Sequence, residues 1–122
     1  VAVFLEKIKK GMPLSIHGDG EQTRDFIYVK DIVHANIASV NRGNHETIQV
    51  STSQKTSVNQ LLKMLTQIHG SKVKTVHSAE RTGDIKHSCL DNRKARQSLN
   101  WYPKTDIFQG LTETYSFKKE FQ

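Results

Sequence analysis

A basic side chain a few residues past a glycine-rich turn is well placed to hold a phosphate group, and residues 18–24 have this arrangement. The turn is Gly18-Asp19-Gly20, in which two glycines separated by one residue allow positive φ angles. Arg24 follows at the mouth of a strand-like segment, where its planar guanidinium can bind a phosphate through two parallel hydrogen bonds. The pattern predicts a phosphate-bearing ligand, and the alternative is a structural ion pair of Arg24 with Asp25 or Asp31.

Three motifs occur in a fixed order along the chain. Residues 18–31 read Gly-Asp-Gly-x-x-x-Arg-Asp-Phe-x-Tyr-Val-x-Asp, and residues 81–84 read Arg-Thr-Gly-Asp. The third motif is spread more widely and comprises Ser88, Asp91, Lys94, Ala95, Leu99, Trp101 and Pro103, followed by Gly110-Leu111. Together they resemble the nucleotide-sugar epimerases and dehydratases among the extended short-chain dehydrogenase/reductases, in which the second motif has proline at the position of Thr82.

The resemblance implies a fold, a domain and a set of roles. The fold is a small mixed α/β half-domain, and residues 1–122 correspond to the C-terminal nucleotide-sugar-binding domain. In the family, the arginines at the positions of Arg24 and Arg81 approach the diphosphate, and the aspartate at Asp84 approaches the ribose hydroxyls. A carboxylate suits vicinal hydroxyls because it only accepts hydrogen bonds. The alternative for residues 81–84 is a surface turn with solvated charges.

Two further substrate-side positions follow from the same resemblance. Ser15 and His17 stand where the family lays a short strand beside the nucleotide base. The ring of His17 is expected either to pack against the ligand or to face solvent. No catalytic, cofactor-binding or metal-binding residue is assigned to this chain.

The chain lacks the cofactor and catalytic motifs of that family. The family binds NAD through a Gly-x-x-Gly-x-x-Gly loop, and none of the seven glycines here forms such a cluster. A Tyr-x-x-x-Lys pair occurs once, at Tyr115 and Lys119, after all the substrate-side motifs. We interpret it as a packing tyrosine with a solvated lysine. The expectation is a fragment that lacks the Rossmann domain, is inactive alone and binds no NAD itself, although the parent enzyme uses NAD.

Composition limits the other classes of function. The net charge is +6, but Lys and Arg are scattered without an aromatic-interleaved stripe, so nucleic acid is not a predicted partner. No apolar run approaches the length of a membrane span, and the six histidines show no zinc-ligand spacing. The single cysteine, Cys89, is expected to be a buried thiol and agrees with a reducing cytoplasm.

Hydrophobic content is low for an independent domain, at 35% with a mean hydropathy of −0.58. This deficit is typical of a piece whose partner surface is missing. We expect exposed apolar surface on a first helix containing Val1, Phe4, Leu5 and Ile8, and therefore self-association.

Periodicity and turn signals predict alternating helices and short strands. Helices are expected at residues 1–10, from Asp31 to Gly43, from a cap at Thr56 or Ser57 to Gly70, at 92–99 and at 107–121. Strands are expected at residues 14–16, 26–29, 47–50, 73–77 and 87–90. Residues 49–53 read Gln-Val-Ser-Thr-Ser where the family often has Asn-Ile-Gly-Thr-Gly, so the geometry of this loop is left open.

The leading function implied by the resemblance is the UDP-sugar-binding part of an NAD-dependent 4-epimerase acting on UDP-glucose or UDP-N-acetylglucosamine. A dTDP-sugar or GDP-sugar dehydratase is the alternative within the family. A nucleotide-sugar-binding remnant without catalysis is the alternative from a different class.

Overall fold

The structure is a computed structural model that describes the backbone of residues 1–120 and the side chains of residues 1–117. The described helices are α1 (Ala2–Lys9), α2 (Val29–Ser39), α3 (Val58–His69), α4 (Arg93–Leu99) and α5 (Ile107–Glu120). The described strands are β1 (Leu14–His17), β2 (Thr23–Arg24), β3 (Thr56–Ser57) and β4 (Thr75–Ser78). Five helices therefore surround very little sheet.

The strands form two separate two-stranded sheets. β1 pairs with β4 in parallel, with Leu14 opposite Thr75 and His17 opposite Ser78. β2 pairs with β3 antiparallel, and Thr23 also forms an isolated parallel bridge with His87. Because parallel strands need a crossover, the chain passes through α2 and α3 between β1 and β4.

α3 organises the larger of the two apolar clusters. Its apolar residues recur at helical spacing, and Ser57 caps its first turn by accepting from the Gln60 amide while the Gln60 side chain accepts from the Ser57 amide. Gly70 ends the helix in the left-handed conformation. The buried members of this cluster are Leu5, Ile8, Leu14, Ile16, Leu61, Leu62, Leu65 and Leu111. The predicted cap, apolar stripe and end of this helix are all confirmed.

The second cluster joins α2 to α4 and contains buried Ala35, Ala95, Leu99 and Trp101. Asp31, in the first turn of α2, is only 1% exposed. Its carboxylate accepts the backbone amides of Lys104 and Thr105 at 3.2 and 3.1 Å, and its carbonyl accepts the Trp101 indole N–H at 3.0 Å. These bonds fix the segment that leads into α5.

Three of the predicted strands are wrong. Residues 26–28 are irregular and Val29 already belongs to α2, while residues 47–50 and 88–90 form no strand. The apolar residues in these segments bury themselves against the clusters instead, as Phe26 does in the first and Ile48 and Val50 do in the second. A strand also requires a neighbour to pair with, and local alternation does not report one. The strand expected at 73–77 is present but lies at Thr75–Ser78.

Exposed apolar surface lies on α2 and also at the start of α1, where Val1 and Val3 are 40% and 62% exposed. Leu5 and Ile8 are buried in the first cluster, so the expectation for α1 was wrong at these two positions. The exposed apolar stripe comprises Val29, Val33, Ile37 and Val40, which are 64%, 47%, 66% and 73% exposed. Their spacing of three or four residues places them on one face of α2. No helix within residues 1–120 has the length and apolarity needed to cross a lipid bilayer.

Candidate functional site

A small cavity lies at the edge where β1 and β4 both end. Because these strands are parallel, their carboxyl ends meet at one edge, and the segments that follow them face each other. The cavity has a volume of about 70 Å³, several-fold below the roughly 300–1,000 Å³ of complete small-molecule pockets. It is lined by His17, Gly18, Asp19, Gln22, Glu80, Arg81, Asp84 and Lys86. We call this space the β1–β4 cavity.

The Gly-Asp-Gly turn forms one wall of the β1–β4 cavity and is docked on the start of α3. The Asn59 amide donates to the Gly20 carbonyl at 3.0 Å, and the Asn59 side chain donates to the Asp19 carbonyl at 3.0 Å. Gly20 has φ +77, and a Cβ there would clash with the Asn59 side chain. Glycine is therefore required at residue 20 both for the backbone conformation and for the close approach of α3.

Arg24 meets Asp84 because residues 86–88 run alongside β2. The Thr23 amide donates to the Lys86 carbonyl at 2.8 Å, and the Ser88 amide donates to the Thr23 carbonyl at 3.1 Å. The Arg24 guanidinium then donates to the Asp84 carboxylate at 2.6 Å as an ion pair. Its other terminal nitrogen donates to the Thr23 carbonyl at 2.8 Å. Arg24 is not among the residues that line the cavity, since Asp84 lies on the cavity side of this pair.

Arg81 and Asp84 are held in one tight turn. The Asp84 amide donates to the Arg81 carbonyl at 3.0 Å, and Gly83 between them has φ +82. Every residue from Ala79 to His87 is exposed. The turn therefore presents both side chains to the cavity on a segment with little burial to fix it.

The two β1 residues of the predicted site differ in position. His17 lines the β1–β4 cavity, and one of its ring nitrogens lies 3.0 Å from the Ser78 hydroxyl on β4. Ser15 is exposed on the same face of β1, but its hydroxyl accepts from Lys7 of α1 at 3.3 Å and does not line the cavity. Of the five predicted site residues, three line the cavity, Arg24 lies one ion pair behind it, and Ser15 lies apart.

Besides the Gly18-Asp19 turn, three lining residues were not predicted from the sequence, namely Gln22, Glu80 and Lys86. Lys86 supplies a second cation beside Arg81. Its position two residues after Asp84 was the available signal, because alternate residues of an extended segment share a face. Gln22 donates to the His17 carbonyl at 2.9 Å and so ties the first motif to the end of β1. No local pattern marked Glu80.

Asp25 fixes the loop that lacks the usual glycines. Its carboxylate accepts the Thr52 amide at 3.0 Å, the Ser53 amide at 2.9 Å and the Thr52 hydroxyl. Ser53 adopts φ +58, a conformation that glycine tolerates better. The half-buried Cys89 thiol lies 3.7 Å from Asp25. Partial burial is the larger cause of a raised pKa at Cys89, and the nearby carboxylate of Asp25 raises it further.

A separate polar group joins α2 to α5 away from the cavity. Glu113 accepts the Tyr28 hydroxyl at 2.6 Å and the Lys30 ammonium at 2.9 Å. These two donors hold the pKa of Glu113 below its ordinary value, and Glu113 in turn raises the pKa of Tyr28 and of Lys30.

Tyr115, the tyrosine of the only Tyr-x-x-x-Lys match, packs against the first apolar cluster. Its hydroxyl lies 2.9 Å from a ring nitrogen of His69 on α3. The Lys119 side chain lies outside the described residues.

The fold and these motifs are those of a nucleotide-sugar epimerase or dehydratase. A family model described as GDP-mannose 4,6 dehydratase matches residues 1–114. The chain therefore belongs to the epimerase/dehydratase family of extended short-chain dehydrogenase/reductases, which confirms both the predicted family and the predicted mixed α/β half-domain.

Relatives with known or assigned activities agree with this assignment. UDP-glucose 4-epimerase of Mycolicibacterium smegmatis is 33% identical over 118 residues, which are 96% of this chain and 38% of the relative. The structure of Thermotoga maritima UDP-glucose 4-epimerase with UDP-glucose matches with a TM-score of 0.93 and 38% identity, over 99% of this chain and 40% of that one.

The structure of a third relative contains bound NAD. The structure of Bacillus cereus UDP-glucuronic acid 4-epimerase with UDP-glucuronic acid and NAD matches with a TM-score of 0.88 and 26% identity. The match covers 97% of this chain and 38% of that one. This chain thus spans about two fifths of the length of the relatives it matches.

Proposed function

We propose that this chain is the UDP-sugar-binding part of an NAD-dependent sugar 4-epimerase and that the β1–β4 cavity receives the nucleotide diphosphate. The observation that carries the proposal is the convergence of Arg81, Asp84 and His17 on one cavity, with Arg24 bonded to its wall. These residues lie at or beyond the carboxyl ends of the two parallel strands and are far apart in sequence. The UDP-sugars bound by related epimerases support the choice of ligand.

The chemistry expected of these residues is anchoring. The guanidiniums of Arg24 and Arg81 and the Lys86 ammonium can neutralise a diphosphate. Each planar guanidinium can bind two phosphate oxygens at once. The 70 Å³ cavity would enclose only a portion of a nucleotide sugar, so other parts of the protein would complete the site. An anchored nucleotide would leave the sugar free to turn, as 4-epimerisation requires.

The described residues do not fit NAD. In the dinucleotide-binding turn, a glycine-rich strand-to-helix connection exposes backbone amides to the pyrophosphate. β3 passes directly into α3 at Val58 without a glycine turn, and residues 25–28 between β2 and α2 contain no glycine either. The Ser57 hydroxyl already accepts from a first-turn amide of α3. We therefore assign NAD and the catalytic tyrosine and lysine to a part of the protein outside this chain, which would be inactive alone. The single Cys89 favours the reducing cytoplasm as the place where it acts.

A dehydratase acting on a GDP-sugar or dTDP-sugar is the second candidate, because the matching family model is described as a GDP-mannose dehydratase. Incubating the longest natural polypeptide that contains this chain with UDP-glucose and with GDP-mannose separates the two. An epimerised UDP-sugar supports the first candidate, whereas a dehydrated keto-sugar product supports the second.

The binding site is tested by replacing each arginine with alanine in that same polypeptide. Arg24→Ala and Arg81→Ala should each weaken UDP binding about tenfold or more, since each removes a charge-assisted contact of roughly 1.5–3 kcal/mol. Arg24→Lys should recover only part of the affinity because an ammonium lacks the planar fork. Calorimetry gives the affinity, and the melting temperature of the same samples reports folding.

Arg93→Ala is the matched control for these two variants. Arg93 is an exposed arginine that pairs with Asp91, and it does not line the β1–β4 cavity. Its replacement should leave UDP affinity unchanged. Unaltered UDP binding in both Arg24→Ala and Arg81→Ala would refute the assignment of the site.

A further inference from the structure

The ion pair between Arg24 and Asp84 directly joins the side chain proposed to bind the diphosphate to the side chain proposed to bind the ribose. The Arg24 nitrogen that donates to Asp84 is one of the two terminal donors that a bidentate phosphate contact uses. The other terminal nitrogen already donates to the Thr23 carbonyl. A diphosphate that binds Arg24 in fork geometry therefore competes with the Asp84 carboxylate for this nitrogen.

Charge leads to the same requirement. Three carboxylates, Asp19, Glu80 and Asp84, line the β1–β4 cavity beside two cations, Arg81 and Lys86. A diphosphate placed among them would meet Asp84 at the point where it approaches Arg24. Because like charges in contact repel, Asp84 has to leave Arg24 for the phosphate to remain there.

The pair is also built so that it can open. The side chains of Arg24 and Asp84 are 32% and 40% exposed, and partly exposed ion pairs contribute only modestly because water and salt screen them. Asp84 belongs to the exposed segment 79–87, whose internal restraint is the turn bond from its amide to the Arg81 carbonyl. Asp84 itself lies outside both sheets, so its carboxylate can leave Arg24 without breaking a strand pairing.

We propose that Asp84 is a positioning and specificity-determining residue that holds the Arg24 guanidinium in place and is exchanged for the diphosphate when the nucleotide binds. This inference rests on the proposed function of the β1–β4 cavity. The ribose hydroxyls of a nucleotide then donate hydrogen bonds to the released carboxylate and replace its ion pair with Arg24. Inorganic pyrophosphate has no hydroxyl groups that could do this. The exchange thus favours nucleoside diphosphates over free phosphates of similar charge.

The test compares UDP with inorganic pyrophosphate in the wild type and in Asp84→Asn, by calorimetry on the longest natural polypeptide that contains this chain. Asp84→Asn should bind pyrophosphate about two- to fivefold more tightly, the range set by a partly exposed ion pair, because the competing anion is gone. The same variant should bind UDP more weakly, because an amide is a poorer acceptor for the ribose. Opposite shifts for the two ligands are the expected signature.

Two further variants separate exchange from a general gain of positive charge. Glu80→Gln removes a carboxylate from the same cavity that is not paired with Arg24, and it should change pyrophosphate affinity less than Asp84→Asn does. In an Arg24→Ala background the gain from Asp84→Asn should disappear, which a double-mutant cycle measures.

The remaining outcomes all contradict the exchange. It is overturned if Asp84→Asn leaves pyrophosphate binding unchanged or weaker, if Glu80→Gln gives an equal gain, or if the gain persists without Arg24. Wild-type protein that binds neither UDP nor pyrophosphate would instead refute the proposed function, and the exchange with it. The two failures are therefore distinguishable.

Discussion

Replacing Asp25 with alanine should destabilise the protein by about 2–4 kcal/mol without affecting the ligand site. Asp25 accepts three hydrogen bonds from Thr52 and Ser53. Hydrogen bonds to a charged group contribute roughly 1.5–3 kcal/mol each, and water replaces part of this because the groups are half-buried. The estimate is therefore about half of the simple sum of the three bonds.

The asparagine variant gives a sharper version of the same test. Asp25→Asn keeps one acceptor oxygen, but its NH₂ group then faces an amide or hydroxyl donor of Thr52 or Ser53, so it should cost about as much as one to two charged hydrogen bonds, roughly 2–3 kcal/mol. Ser53 would also lose the contact that holds it at φ +58, a conformation that costs about 1 kcal/mol or more in a non-glycine residue. Asp91→Asn is the matched control, because Asp91 is exposed and, among the described side chains, is bonded to Arg93 alone.

Urea unfolding followed by circular dichroism measures these differences, with equal m-values confirming that the unfolding transition is unchanged. The control variant should lose less than about 1 kcal/mol. UDP affinity of the folded fraction should stay within about twofold of the wild type, a shift worth only about 0.4 kcal/mol. An Asp25→Ala protein as stable as Asp91→Asn, or one that folds normally but fails to bind UDP, would refute the architectural role given to Asp25.

Three other outcomes are expected. Sedimentation should show that the chain self-associates, in a paired or segment-swapped form, and Ile37→Lys on the exposed stripe of α2 should reduce this; a concentration-independent monomer would contradict it. Calorimetry of this chain with NAD should give no saturable binding, and UDP-glucose should not be epimerised, whereas saturable NAD binding would show that the cofactor was wrongly assigned elsewhere. Glu113→Gln should lower the melting temperature at neutral pH, because Tyr28 and Lys30 depress the carboxyl pKa below 4.5 in the folded protein. A depressed pKa contributes stability that is present above the unfolded value and lost as pH falls through the folded one, so the difference between variant and wild type should shrink as the pH falls below 4.5. A difference that does not shrink with acidification would contradict the linkage.

The helices were the predictable part of this fold, and α3 shows why. Its cap at Ser57, its apolar spacing and its end at Gly70 are all encoded within the helix and its immediate neighbours. The segment 47–50 shows the opposite case. Its alternation is typical of a strand, yet Ile48 and Val50 bury themselves against α4 and Trp101 without a pairing partner. Whether an extended segment becomes a strand depends on distant residues, which local patterns do not identify.

Part of the lining of the β1–β4 cavity was predictable from the sequence, but the arrangement of its side chains was not. The motifs selected Arg24, Arg81 and Asp84, and the structure brings all three to one region. The partner of Arg24 was not predictable, because Asp25 and Asp31 were the nearer carboxylates in sequence. Asp25 is committed to Thr52 and Ser53, and Asp31 to the amides of Lys104 and Thr105. Because backbone amides already bind Asp25 and Asp31, Arg24 pairs with Asp84, which lies 60 residues further along the chain.

The parallel pairing of β1 with β4 has a consequence for folding kinetics. Leu14 and Thr75 become neighbours only after about half of the chain has closed into a loop. The entropy of that closure must be overcome before the strand-pairing contacts can stabilise it. α3, with its self-contained cap and stripe, can gain helicity long before then. The cavity edge does not exist until β1 and β4 meet, so UDP capture in a stopped-flow experiment should lag behind the far-ultraviolet circular dichroism signal. The rate at which UDP binding appears would then report the rate of the last step of folding.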